Sequence, residues 1–386
     1  MQFTKFIRLS LVFCVFASHS VFAKAKDSPR SSVWAYKMRQ LKETVEALWM
    51  ESVDEAKFLD PKNESRIRGL LTRFSDSAHE LNMRDAIKYS SDPTFAIIAG
   101  LLDDDSKAQL HAFNKGDRKF ARVMVKATTR YCSACHTHGR AGSEGLQFSE
   151  PKGFERLSLL EQADILVSLR NFDKAQKVLH AQIEKSEEAF ELEAASHRSL
   201  NLAIYREDEV AASQAVVAAL KNPALTPEFR KTLITWQTSL EDKNRFSMNA
   251  DGARKYLERG QKLNRYPKDV LGEVETLRGA KLLSREIEKS SDASERAKLI
   301  ANLASAIERL NGMDLWELPD YLYAACVTTA PHTETARACA KDYERVVMEG
   351  YMGSSGLDLP KEIAKRIEKL KLLAEKEEAP VTKPAP

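Results

Sequence analysis

The sequence predicts an all-α protein, and three observations support this prediction. Alanine, leucine and long charged side chains, which favour helices, recur throughout the 386 residues. Glycine and proline, which interrupt helices, occur only 15 and 13 times. Apolar residues recur at three- and four-residue steps, the spacing of one helix face. A composition of 43% hydrophobic and 30% charged residues also excludes disordered, collagen-like and multi-span membrane proteins.

Residues 1–23 predict a cleaved secretory signal. Lys5 and Arg8 form a basic start, an apolar run follows over residues 9–17, and small Ala23 closes the segment. The apolar run is shorter than the roughly 20 residues that span a bilayer, so cleavage is favoured over a membrane anchor. We therefore expect an exported, periplasmic protein without a membrane span. Loss of Lys5 and Arg8 lowers the net charge from +3 to +1, which gives no reason to expect a nucleic-acid partner.

Residues 30–148 contain four helical patterns. The first covers about 32–50, and the second follows Pro61. Asp92, a typical N-cap residue before a proline, opens the third pattern. The fourth follows Gly116 and leads into a cysteine motif. Four amphipathic helices of this length predict an antiparallel four-helix bundle.

Cys132, Cys135 and His136 form that motif, with the C-x-x-C-H spacing of c-type haem attachment. Two thiols three positions apart can form thioethers to the two vinyl groups on one porphyrin edge, and the adjacent imidazole can bind the iron as proximal ligand. A bare C-x-x-C also occurs in redox dithiols and half zinc sites. Here no second cysteine pair lies nearby, and no strand pattern precedes the motif. The predicted cofactor is one covalently attached haem c.

The position of the motif resembles that in the class II cytochromes c, the cytochrome c-prime group. The motif ends the last helix of the bundle, and no methionine occurs between His136 and Met248 to act as the downstream ligand of the commoner small cytochromes c. Arg140 lies four residues after the haem histidine, as in that family, whereas Gly139 replaces the usual aromatic residue. The resemblance implies a four-helix haem domain over 30–148, with Arg140 near the haem.

The same resemblance implies one of two iron sites: a five-coordinate iron with an apolar distal pocket on the first helix, or a six-coordinate iron with a methionine there. Met38 is the candidate distal ligand because it lies in the apolar stripe of that helix, and core packing is its alternative role. We expect His79 and His111 at the surface or rim. His138 is too close in sequence to His136 to reach the opposite haem face.

A glycine-rich stretch between 139 and 153 predicts a domain boundary near 150. Residues 151–349 then show paired helical patterns, residues 350–378 a loop and a C-terminal helix, and residues 379–386 a disordered proline-rich tail. The predicted helices cover 162–179 as a helix pair, 202–215 as its repeat, and 228–241, 251–263, 269–289, 294–310, 316–329 and 334–349.

The second half resembles degenerate tetratricopeptide repeats. Asp173 and Asp208 lie 35 residues apart, close to the repeat period of about 34. Small Ala175 and Ala211 stand where paired helices approach each other. Stacked helix pairs leave a concave face that commonly binds a partner protein, although the array can also serve only as a scaffold for the haem bundle.

Cys326 and Cys339 predict a disulfide. They flank the break around Pro331 between two helical patterns, so an antiparallel helix pair places them opposite each other. An oxidising compartment favours the bridge over two buried free thiols. The fifth cysteine, Cys14, lies in the predicted signal segment.

These features predict an exported monohaem c-type cytochrome that transfers electrons, with the array docking a redox or regulatory partner protein. One alternative is a five-coordinate haem protein that binds or senses a small gas such as NO or CO. A peroxidase-like enzyme comes third, because it needs polar acid and base groups in an open distal site. None of the motifs requires an enzyme.

Overall fold

The computed structural model describes residues 29–82, 92–138, 150, 153–266, 269–310, 317–354 and 356–375, except for the side chains of 29–35. Most of these residues are helical, which confirms the all-α prediction. The predicted signal segment, Arg140, Gly139 and the C-terminal tail lie outside the described residues. Among the described helices, none is long and apolar enough to cross a membrane.

The described residues of the first part of the chain form six α-helices and a short 3-10 turn. Asp92 and Asp117 cap two of these helices, accepting hydrogen bonds from the backbone amides of Thr94 and Phe120. The predicted fourth helix divides in two at Thr128. The elements are α1 (Pro29–Val53), α2 (Glu55–Leu59), the 3-10 turn (Pro61–Asn63), α3 (Glu64–Asn82), α4 (Pro93–Asn114), α5 (Arg118–Ala127) and α6 (Thr129–His136).

Four of these helices pack in a ring. Helix α1 packs against α3 and α5, and α4 packs against α3, α5 and α6. Ile67, Leu71 and Phe74 of α3 are fully buried at the centre. On α4, the ring of Phe113 meets Phe58 edge-on at a centroid distance of 6.0 Å. The apolar stripes that predicted these helices therefore face one another.

Helices continue through the second part of the chain. A two-stranded hairpin stands where the sequence predicts a loop, with β1 (Met352–Gly353) antiparallel to β2 (Gly356–Leu357). The helices are α7 (Leu159–Ser168), α8 (Phe172–Lys185), α9 (Ala189–Arg206), α10 (Glu209–Lys221), α11 (Pro227–Glu241), α12 (Ala250–Leu263), α13 (Glu273–Lys289), α14 (Ala293–Arg309), α15 (Leu318–Thr329), α16 (Glu334–Tyr351) and α17 (Lys361–Ala374). Most pack against the next helix in sequence, whereas α11 packs against α10 and α13.

Two turns in this series have the same backbone conformation. Arg170 after α7 and Glu207 after α9 both adopt the left-handed conformation, with φ of 60°. The next residues, Asn171 and Asp208, stand at the N-cap positions of α8 and α10. These equivalent positions lie 37 residues apart in the sequence.

The 37-residue spacing pairs Ala175 with a different alanine from the one that the sequence suggested. It aligns Ala175 with Ala212, and both are fully buried. Ala211, which the sequence suggested as the counterpart of Ala175 and which lies 36 residues after it, is only partly buried. The matching turn conformations and the acidic residues Asp173 and Asp208 therefore select spacings that differ by two residues.

The two parts of the chain share a hydrophobic core. One cluster contains buried residues of α3 and α4 together with residues of α14, α15 and α16. Helix α4 contacts α15, and α6 contacts α7. The sequence boundary near 150 thus divides two helical patterns whose buried surfaces meet.

Cys326 of α15 and Cys339 of α16 lie at disulfide distance, with their sulfur atoms 2.05 Å apart. Both are buried in the hydrophobic cluster that joins these helices. The turn between the helices contains His332, whose backbone φ is 61°. The helix pair therefore brings together the two cysteines that the sequence predicted to be paired.

Candidate functional site

A cavity lies between helices α1, α6 and α7. It encloses about 570 Å³, including its open mouth, and almost all of its surface is apolar. Sites for small molecules and cofactors commonly have mostly apolar walls. The wall consists of Met38, Leu41, Lys42, Val45, Glu46 and Trp49 from α1, Thr129, Cys132 and His136 from α6, and Ile165, Ser168 and Leu169 from the end of α7.

Three residues that the sequence singled out line this one cavity. Met38 comes from α1, whereas Cys132 and His136 come from α6. Cys135, on the same helix, is partly buried and packs against the hydrophobic core. Arg140 lies outside the described residues. The structure thus brings the candidate distal and proximal ligands together across nearly 100 residues of sequence.

His136 is the last residue of α6 and is buried. Among the described residues, its Nδ1 atom has no hydrogen-bond partner. Burial lowers the pKa of His136 to about 4, and the nearby positive charge of Arg170 lowers it further. The backbone carbonyl groups of Ser168 and Val167 raise this pKa, but by less than burial and Arg170 lower it. The imidazole is therefore neutral at pH 7, the state in which a ring nitrogen can bind a metal ion.

Cys132 and Cys135 are partly buried and are not bonded to each other. Burial raises the pKa of the Cys132 thiol to about 11 and that of Cys135 to about 12. The Sγ atom of Cys132 lies 3.9 Å from the carbonyl oxygen of Thr128. Redox-active dithiols generally have a cysteine with a lowered pKa, so this environment does not favour the dithiol interpretation.

Helix α1 supplies the apolar side of the cavity. Met38, Leu41, Val45 and Trp49 follow one another at three- and four-residue steps and line its wall. The indole of Trp49 donates a hydrogen bond to the carbonyl oxygen of Lys126, which holds α1 against α5. Among the α1 side chains of this wall, Met38 carries the soft ligand atom, a thioether sulfur.

The other candidate histidines are not part of the described cavity wall. His79 is half exposed, and its Nδ1 lies 3.1 Å from a carboxylate oxygen of Asp103. His111 is exposed. His138 is buried, with its Nε2 2.6 Å from Oδ2 of Asp92. Of the histidines that the structure describes, His136 is the one that lines the cavity.

The buried pair of Asp92 and His138 was not predicted from the sequence. Asp92 accepts a hydrogen bond from the Thr94 amide as the cap of α4, and the ring of Phe95 meets His138 edge-on at 5.4 Å. Burial raises the pKa of Asp92, but His138 and the hydrogen bonds from Thr94 outweigh it, so that the pKa is lowered. The cap was recognisable in the sequence, whereas its partner, 46 residues away, was not.

The contribution of α7 to the cavity was also not predicted. The sequence pattern placed Ile165 and Ser168 in the helical array, yet both line the cavity. The hydroxyl of Ser168 donates to the carbonyl oxygens of Asp164 and, at 3.4 Å, of Thr129 in α6. An ion pair of 2.7 Å between Lys126 and Glu161 also holds this helix to α5. No local pattern distinguishes a helix that faces its repeat neighbour from one that also closes a cavity.

The comparisons with protein-family models, with curated proteins and with solved structures each find no match for this chain. Within the described part of the chain, no three or more His, Cys, Asp or Glu side chains are grouped so as to hold a metal ion. The function is therefore argued from the cavity and from the residues that line it.

Proposed function

We propose that the chain is an exported c-type cytochrome that carries one covalently attached haem and transfers electrons. One observation carries the proposal: Met38, Cys132 and His136 line the same cavity. The motif spacing predicted Cys132 and His136 as thioether and proximal ligand, and the class II resemblance together with the helical pattern made Met38 the candidate distal ligand, with core packing as its alternative role. Two independent features of the sequence therefore agree with one place in the fold.

The residues present fit a haem. Cys132 and Cys135 would hold it through thioethers, and neutral His136, with its unpartnered Nδ1, would bind the metal. When bound, the haem supplies an iron that alternates between two oxidation states. The apolar side chains of α1, including Leu41, Val45 and Trp49, would limit the access of water to the haem. Exclusion of water and the choice of axial ligand are the means by which a protein sets a reduction potential.

Two further features support the proposal. The ring of α1, α3, α4 and α5, followed by a motif at the end of α6, agrees with the arrangement that the class II resemblance implies. The serial packing of α7 to α11 and the two equivalent turns at Arg170 and Glu207 agree with a repeat-like array. We propose that this array docks a redox or regulatory partner protein.

Gas binding is the second candidate function, and the apolar α1 wall favours it. If Met38 packs in the core instead of binding iron, the iron would keep one open coordination position beside the apolar wall, where NO or CO could bind. Peroxidase chemistry has less support. The charged residues in the described wall are Lys42 and Glu46, which form an ion pair of 2.6 Å with each other.

The test is a spectroscopic measurement on the full chain, expressed with a c-type haem attachment system. We expect one covalent haem per chain. A six-coordinate iron that does not bind CO supports electron transfer, and Met38→Leu should then open the site to CO. Met124→Leu is the matched control because Met124 lies on α5 and is not part of the described wall. A five-coordinate wild-type iron that binds CO supports gas binding, and absence of covalent haem contradicts both functions.

A further inference from the structure

The buried pair of Asp92 and His138 lies directly beside the predicted proximal ligand. We propose that this pair positions His136, because it fixes the end of α6 against the start of α4. The inference rests on the proposed haem function for the role of His136, whereas the contact itself is a feature of the fold. Neither Asp92 nor His138 is part of the cavity wall, so both act through the backbone of α6.

The geometry of the pair is that of a strong structural contact. Nε2 of His138 and Oδ2 of Asp92 are 2.6 Å apart, and the two side chains are 9% and 0% exposed. A buried hydrogen bond to a carboxylate is stronger than one between neutral groups. The ring of Phe95 packs edge-on against His138 and restricts its rotation. His138 therefore has one well-defined position.

That position is linked to His136 through the last turn of α6. The Thr137 amide donates to the Ser133 carbonyl at 2.9 Å, and the Thr137 hydroxyl donates to the same oxygen at 2.8 Å. The His138 amide donates to the Cys135 carbonyl at 3.4 Å. A shift of His138 would consequently move the turn that carries His136.

The other end of the contact is equally fixed. Asp92 is the N-cap of α4, where the positive end of the helix dipole stabilises its carboxylate. Its Oδ1 accepts the Thr94 amide at 2.9 Å, which leaves Oδ2 for His138. The pair thus joins the end of one helix to the start of another.

The chain provides a matched control for this pair. His79 and Asp103 form a second histidine–aspartate contact, at 3.1 Å, between α3 and α4. His79 is half exposed, and neither residue belongs to the cavity wall. If a generic loss of stability explains the effect of losing Asp92, then loss of Asp103 should produce a similar effect.

The first measurement needs no haem. We expect the backbone amides of residues 133–138 to exchange about tenfold faster with solvent in Asp92→Asn and His138→Phe, the change expected for loss of one buried hydrogen bond. Asparagine retains the helix cap, and phenylalanine retains the ring contact with Phe95. His138→Gln, which keeps an N–H donor, and Asp103→Asn should exchange like the wild type. Hydrogen exchange measured by mass spectrometry on each folded full-length variant gives these rates.

The second measurement uses the haem-loaded chain. We expect Asp92→Asn and His138→Phe to broaden the ferric electron paramagnetic resonance signals and to change the midpoint potential, because His136 then takes several orientations. His138→Gln and Asp103→Asn should retain wild-type values. Wild-type exchange, spectra and potential in Asp92→Asn and His138→Phe would overturn the inference, as would equal effects of Asp103→Asn. A wild-type chain without haem would overturn the proposed function. The hydrogen-exchange rates would still decide whether the pair of Asp92 and His138 fixes the end of α6.

Discussion

The two cysteine pairs of this protein differ in the way the fold presents them. Cys132 and Cys135 lie on one helix, unbonded, and Cys132 lines a cavity. Cys326 and Cys339 lie on two consecutive helices, with Cα atoms 6.2 Å apart and sulfur atoms at bonding distance. The first pair is separated by 3 positions within one helix, and the second by 13 positions across a turn between two helices.

Helix geometry explains the difference. Residues three apart on a helix have Cβ atoms about 5–6 Å apart, beyond the roughly 3.5–4.5 Å of a disulfide. The helical C-x-x-C pair is unbonded, and of its two thiols that of Cys132 lines the cavity. Two helices joined by a tight turn place Cys326 and Cys339 face to face, and their sulfurs are bonded within the core. The comparison separates an unbonded pair, one member of which lines the cavity, from a pair that is bonded within the core.

We expect the largest effect when the first cysteine pair is replaced. Cys132→Ser combined with Cys135→Ser should abolish covalent haem attachment, because serine cannot form a thioether. The matched control, Cys326→Ser with Cys339→Ser, should keep one haem per chain. Haem that remains on the denatured polypeptide measures the attachment. Equal haem content in the two double variants would contradict the division of roles.

His136→Ala should keep the thioethers and lose the axial nitrogen. We expect a changed ferrous optical spectrum that added imidazole restores, because the small alanine leaves space beside the cavity. His111→Ala is the control, since His111 is exposed and is not part of the described wall. An unchanged ferrous spectrum in His136→Ala would contradict its assignment as proximal ligand.

Loss of the second pair should affect stability instead of haem. Cys326→Ala with Cys339→Ala should lower the free energy of unfolding by about 2–4 kcal/mol, because the bridge restricts the unfolded chain. The haem spectrum should stay as in the wild type. Chemical unfolding under oxidising and reducing conditions measures the difference. A wild-type unfolding curve that is the same in both conditions would show that the bridge does not contribute.

Asp320, on the helix that carries Cys326, should make stability depend on pH. Burial, together with the charges of Glu317 and Glu308, raises the pKa of Asp320 to about 7, although Arg366 opposes the shift. The folded state then binds a proton that the unfolded state has released, so this group's contribution to stability falls as the pH rises from about 4 to about 7.

Asp320→Asn should remove that dependence. We expect the free energy of unfolding to rise by about 1–2 kcal/mol at pH 8 and to change little at pH 4. The expected rise is smaller than the full pKa shift implies, because the carboxyl group is partly exposed to solvent. Asp358→Asn, at an exposed site in the same part of the chain, is the control. Unfolding curves at the two pH values measure the effect. A gain that is the same at both values would contradict the role of the Asp320 carboxylate.

Local patterns predicted most helices because capping and apolar periodicity act within a few turns. The expected helix over 251–263 corresponds to α12 (Ala250–Leu263), and Asp92 caps α4 as its sequence context indicates. The break at Thr128 was not predicted. There the Thr128 hydroxyl donates to the Met124 carbonyl and accepts from Gln109 of a neighbouring helix, a contact that no local pattern contains.

The candidate site was predicted in part for the same physical reason. The C-x-x-C-H motif, and Met38 in its apolar stripe, are local features that the sequence alone determined. Only the tertiary structure decided that Met38 and His136 line one cavity, that α7 closes it, and that His138 meets Asp92. Each of these contacts joins segments far apart in sequence, and such contacts depend on how whole helix faces pack, which no short stretch of residues specifies.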